Sequence, residues 1–83
     1  MSVHELRTWP IYFQPVLDGQ KTFEKRIWDR DYKVGDTLVL KEWDPKTQEY
    51  TGRELDAVVT YILDGELALD KIWCHMSFKK VVR

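Results

Sequence analysis

Eighty-three residues make one small domain, 1–83, with a limited core and a modest stability margin. A hydrophobic share of 43% beside a charged share of 33% excludes a disordered chain, and the lone cysteine, Cys74, excludes an intrachain disulfide. A formal net charge of −1 excludes nucleic-acid binding by bulk attraction alone.

Taken in chain order, Val3–Thr8 alternates and predicts a strand. Pro10 suits the first turn of a helix, where a missing N–H costs nothing, and Phe13, Val16 and Leu17 follow at helical spacing. Gly19 is placed to end that helix, and Pro15 keeps it short or distorts its first turn. Thr22–Ile27 alternates polar and apolar and predicts a second strand. Asp29-Arg30-Asp31 reads as a loop, and Val34-Gly35-Asp36 as a tight turn into an apolar-rich strand, Thr37–Trp43.

Asp44–Gly52 is a polar hairpin connection, and Arg53–Leu63 is the longest β-like run. Asp64-Gly65 predicts a turn, Leu67–Asp70 a short helical turn, and Ile72–Val82 the last strand. The fold class is therefore mainly β with one or two short helices. The expected form is a small curved sheet closing into a barrel, which would remove exposed edges. No apolar run approaches 18 residues and Met1–Trp9 has no signal-peptide pattern, so a cytoplasmic protein without a membrane partner is expected.

The charge is uneven. Residues 1–37 hold six cations and six anions, 38–70 three cations and eight anions, and 71–83 four cations and no anion. Lys21, Lys25, Arg26, Arg30 and Lys33 crowd one stretch, and Lys79, Lys80 and Arg83 crowd the tail. One basic face results if the last strand lies near the first segments; ordinary solvated charge is the alternative.

Within the first cluster stands Gly19-x-Lys21-x-x-Glu24-x-Arg26. On a strand, Glu24 and Arg26 share one face and Phe23, Lys25 and Ile27 the other. Phe23 and Ile27 are expected to take the core side, so Glu24 and Arg26 are expected to turn away from it, toward a cleft. Lys21 is out of phase with Glu24 and meets it only from an irregular turn after Gly19. Such a cluster can bind a polar planar group or hold a lysine beside a carboxylate for proton transfer. It can equally be a lattice of structural ion pairs.

Other groups carry less. His4 and His75 with one cysteine lack metal-ligand spacing, so no metal and no cofactor are expected. Cys74 and His75 are strand neighbours and point to opposite faces, which argues against a catalytic pair. Trp28, Tyr32 and Trp43 are candidates to stack on a base or to pack at the barrel's ends.

The string Gly19-x-Lys21-x-x-Glu24-x-Arg26, preceded by a short helix and followed by Val34-Gly35-Asp36 and a strand, resembles the ASCH (activating signal cointegrator homology) domains. These belong to the PUA-like barrels, named for pseudouridine synthase and archaeosine transglycosylase. His4-Glu5-Leu6, Arg30-Asp31, Glu42-Trp43-Asp44, Tyr50-Thr51-Gly52-Arg53-Glu54 and Val59-Thr60-Tyr61-Ile62-Leu63 extend the likeness to a small uncharacterised bacterial and phage subgroup over roughly residues 3–65.

The resemblance implies a pseudo-barrel with a cleft beside the motif and RNA or a nucleoside as ligand. Some small relatives remove the acetyl group of N4-acetylcytidine with a lysine, a threonine three residues later and a glutamate. Lys21 matches that lysine, but the third position on is Glu24, which removes the presumed nucleophile; Thr22 is offset by two residues. Other relatives cleave RNA.

Three functions follow as expectations. The first is an RNA- or modified-nucleoside-binding module, with Lys21, Glu24, Arg26, Trp28 and Arg30 as the binding residues. The second is a nucleoside amidohydrolase or ribonuclease using Lys21 and Glu24. The third is a protein-interaction role in a phage or mobile element, with a host protein contacting Asp44, Glu49 and Glu54. A monomer or weak dimer is expected.

Overall fold

A computed structural model describes residues 1–63 and 73–81. The elements are β1 (Val3–Thr8), α1 (Pro10–Leu17), β2 (Phe23–Ile27), β3 (Thr37–Asp44), β4 (Glu49–Leu63) and β5 (Trp73–Val81). They form one five-stranded sheet in the order β1-β3-β4-β5-β2. β1 runs parallel to β3 and every other pairing is antiparallel. The protein is mostly β with one short helix, and the sheet curls into a half-barrel.

Alternation builds the core. His4, Leu6 and Thr8 of β1, Leu38 and Leu40 of β3, Leu55, Ala57 and Val59 of β4, and Cys74, Met76 and Phe78 of β5 are buried on the concave side. Helix α1 adds Phe13 and Val16 to that core. Pro10 opens the helix and Gly19 follows its last turn at φ +80°, in the left-handed region. Pro15 lies inside the helix, whose eight residues match the expectation of a short element. Lys80 Nζ donates to the Leu17 carbonyl at 2.7 Å, tying β5 to the helix end.

Two irregularities bend β4. Its register against β3 shifts between Lys41↔Glu54 and Trp43↔Tyr50, so Thr51, Gly52 and Arg53 together face Glu42. Gly52, at φ +95°, supplies the backbone conformation for this bulge. A second shift lies between Val59 and Tyr61. The predicted hairpin connection, Asp44–Gly52, is therefore shorter than expected: strand pairing resumes at Glu49, and Gly52 belongs to a bulge within β4. The turn at Asp64-Gly65, the helical turn at Leu67–Asp70 and the ends of the last predicted strand lie outside the described residues.

The Val34-Gly35-Asp36 turn ends on a buried carboxylate. Asp36 accepts hydrogen bonds from Ser2 N and Lys33 N, both at 3.0 Å, and pairs with His4 Nε2 at 2.8 Å. Burial alone would raise its pKa, but the His4, Ser2 and Lys33 hydrogen bonds outweigh it and hold the carboxyl below its usual value. This clamp joins the chain's start to the entry of β3.

Among the described residues the sheet is not fully closed. β1 and β2 stand at its two ends and are not paired with each other. The chain of pairings makes them antiparallel to one another. The opening between these two edges positions the candidate site.

Candidate functional site

A cleft of about 660 Å³ follows the seam between β1 and β2. Its wall includes Leu6–Trp9 of the first edge and Phe23–Ile27 of the second, with Tyr12, Lys21, Asp29, Arg30, Tyr32 and Trp73 around them. The volume lies within the range of small-ligand sites, about 300–1,000 Å³.

Glu24 and Arg26 line the cleft, but which face of β2 takes the core side reverses the expectation. Phe23 and Ile27 are 55% and 51% exposed, whereas Glu24 is only 4% exposed. Glu24 pairs in register with Met76 and Arg26 with Cys74, both core residues, so the charged pair takes the concave side. Phe23, Lys25 and Ile27 stand on the outer face. The reason is topological: β2 is the last strand of an unclosed sheet, and its concave side meets the seam rather than a sealed apolar interior.

The expected cluster assembles. Lys21, in the irregular segment after Gly19, places Nζ 2.6 Å from Glu24 Oε1 and 2.8 Å from the Phe23 carbonyl. Arg26 donates from Nε to Glu24 Oε2 at 2.8 Å. Its Nη2 reaches across the seam to the Arg7 carbonyl at 2.8 Å and to Thr8 Oγ1 at 3.3 Å. Two cations thus share one carboxylate, leaving a formal surplus of one positive charge. One Lys21 N–H and both N–H groups of Arg26 Nη1 have no acceptor among the described residues. Both carboxylate oxygens are already engaged, so the spare capacity of the cluster is mainly for donating.

Arg30 lies farther along the same seam. Its Nη1 donates to the Glu5 carbonyl and its Nε to Asp29 Oδ1, both at a long 3.4 Å. Trp28 does not line the cleft; its ring stacks on Tyr32, which does, at 5.8 Å between centroids. Trp43 lies elsewhere, with the Arg7 guanidinium 4.8 Å over its ring. Lys25 lays its ammonium over Trp73 at 4.7 Å, and Lys33 pairs with Asp31 at 3.6 Å. Of the five cations in this stretch, Lys21, Lys25, Arg26 and Arg30 line the cleft and Lys33 does not.

Several cleft residues lie outside the expected binding set, among them Thr8, Trp9 and Tyr12; Tyr32, a stacking candidate, lines the cleft too. Trp9 and Tyr12 stack on each other at 6.5 Å and stay half-exposed at the mouth. The signal for them was the Thr8-Trp9-Pro10 junction, where a strand gives way to a helix and a large ring is left outside both. Burial pushes the Tyr32 hydroxyl above its usual pKa.

Cys74 and His75 separate as expected. Cys74 is buried in the core, where burial raises its thiol pKa, and His75 sits on the other face of β5. Among the described residues, no group of three or more His, Cys, Asp and Glu side chains is placed to hold a metal ion. No helix of the described residues is long and apolar enough to cross a membrane.

A second charged cluster, on β3 and β4, has a different construction. Glu42 receives Arg53 Nε and Nη2, each at 2.9 Å, and Thr51 Oγ1 at 2.6 Å. Arg53 also donates to Gln14 Oε1 at 3.1 Å and lies over the Phe13 ring at 5.1 Å. The Arg53 and Thr51 hydrogen bonds outweigh burial and hold the Glu42 carboxyl below its usual value. One cation meets one anion, and the pair fastens α1 to the sheet.

Comparison with known proteins places the chain in a family. It belongs to the family described as "Domain of unknown function (DUF3850)", which matches residues 3–78. It is also similar to the "Uncharacterized 12.9 kDa protein in GpA 3'region" of Escherichia phage P2, with 42% identity over 63 residues. That match covers 76% of this chain and 56% of the phage protein, so the chain spans little more than half the length of this relative.

Proposed function

We propose that the chain is an RNA- or modified-nucleoside-binding module of ASCH-like, PUA-like kinship, acting in the cytoplasm through the cleft between β1 and β2. The observation that carries this reading is the Lys21–Glu24–Arg26 cluster: one buried carboxylate, two cations, and N–H groups left over in an open cleft. Those donors suit phosphate oxygens and base carbonyls. Glu24 serves to hold the two cations in place, a role different from accepting a base amino group. Half-exposed Trp9 and Tyr12 offer rings for a base to stack on. Arg30 extends the donor lining.

Catalysis by Lys21 and Glu24 is a weaker reading. Thr8 brings a hydroxyl into the cleft, but that oxygen accepts from Arg26 and is placed to donate to the Leu6 carbonyl at 3.5 Å. No free base stands beside it among these contacts, and nucleophilic attack needs one.

The test is titration of oligouridylate and of free N4-acetylcytidine against the protein, followed by tryptophan fluorescence. Lys21→Ala, which leaves the seam contacts of Arg26 in place, weakens binding about tenfold, the effect of losing one charge-assisted hydrogen bond. Equal binding by the wild type and the variant, with circular dichroism unchanged, removes this site from the account. Turnover of N4-acetylcytidine or RNA that Lys21→Ala abolishes would favour the enzyme instead.

A further inference from the structure

The edge of β1 carries a regular series of contacts. Arg30 meets the Glu5 carbonyl, Arg26 meets the Arg7 carbonyl, and Trp9 with its stacked partner Tyr12 follows directly. Residues two apart on a strand point the same way and lie roughly 6.6 Å apart. The Glu5 and Arg7 carbonyls therefore hold two guanidinium groups in series along the seam, and the aromatic pair follows beyond the end of β1. Because β2 runs antiparallel to β1, Arg26 and Arg30 approach in that same order.

A free nucleoside is too small to use this series. It has one base and no phosphate, so it cannot occupy the aromatic pair and both guanidinium groups at once. A stacked strand is too compact, since it advances about 3.4 Å per nucleotide. An unstacked strand is long enough for one base and two backbone phosphates to reach the three positions.

Resting on the reading above, we infer that the cleft takes an extended single-stranded RNA segment rather than a nucleoside, with a base on Trp9 and Tyr12 and successive phosphates at Arg26 and Arg30. Arg30 is suited to this role because both of its hydrogen bonds are long, its other contact is the Tyr32 ring at 5.9 Å, and its side chain is substantially exposed. It exchanges them for a phosphate at small cost. Asp29, its present partner, competes with that phosphate.

The experiment is a length series of uridine, uridine monophosphate and oligouridylates of two to six nucleotides, titrated by tryptophan fluorescence at several salt concentrations. Affinity is expected to climb to about three nucleotides and then level off. For single strands the slope of log K against log salt is about −0.7 per phosphate neutralised, so two phosphates give roughly −1.4. Arg30→Ala halves that slope, Asp29→Asn tightens binding, and Trp9→Ala weakens it at least about fivefold. Uridine binding as tightly as the hexamer, or a slope that Arg30→Ala leaves unchanged, overturns the strand footprint while leaving the binding module standing. No binding at any length overturns both.

Discussion

Glu24 and Glu42 are near twins by position. Each is 4% exposed, each points to the concave side, and each holds a guanidinium. Their surroundings separate them. Glu42 is met by one arginine through two parallel hydrogen bonds and by a threonine, and the arginine goes on to a helix side chain. Glu24 is split between a lysine and an arginine, and both line a cleft. A charge-balanced cluster that joins two elements is accounted for by the fold. A cluster with surplus positive charge, set in an unclosed seam, has capacity left for a ligand.

Breaking the balanced cluster gives the largest effect. Glu42→Ala strips the buried partner from Arg53 and Thr51 and loosens α1, at about 1–3 kcal/mol. At roughly 4–8 °C per kcal/mol for a domain of this size, a thermal melt resolves that loss. On the proposed reading, the affinity for hexauridylate is expected to stay unchanged.

Acid sharpens the same contrast. The carboxyls of Glu42 and Asp36 are held below their usual values of 4.5 and 3.8 in the folded protein. A depressed folded-state value gives stability that is fully present above the unfolded value and is lost as pH falls through the folded one. The melting temperature therefore stays level down to about pH 5 and falls below it. Glu42→Gln, already lacking one of the two carboxylates, shows a shallower fall.

The smallest effect tests the orientation of β2. Phe23→Ser and Ile27→Ser change stability by about 0.5 kcal/mol or less, since both side chains stand on the outer face. A loss of several kcal/mol in chemical denaturation would restore them to the core and turn Glu24 outward.

Much of the architecture was legible in local chemistry. Pro10 and Gly19 bracketed the helix, alternation marked the strands, and the odd spacing of Lys21 from Glu24 required the turn from which Lys21 in fact reaches it. Alternation shows that two faces differ but not which one is inside. Phe23 and Ile27 carried the apolar signal, and an unclosed sheet gave the concave side of its last strand to charge instead. The Glu42–Arg53 pair was hidden for another reason. It depends on a bulge at Gly52 that brings three residues opposite one. Thr8, Trp9 and Tyr12 join the cleft only because the sheet order sends β1 and β2 to opposite ends and curling brings those ends together.

The contrast between the two clusters is tested most directly by a matched pair of arginine variants. Arg26→Ala and Arg53→Ala each remove one guanidinium from a buried glutamate, and each is titrated with hexauridylate beside the wild type while circular dichroism follows the fold. The account predicts that Arg26→Ala abolishes or weakens binding by about tenfold or more, and that Arg53→Ala lowers the melting temperature yet binds as the wild type does. Binding that survives in Arg26→Ala, or that falls equally in both folded variants, would contradict it.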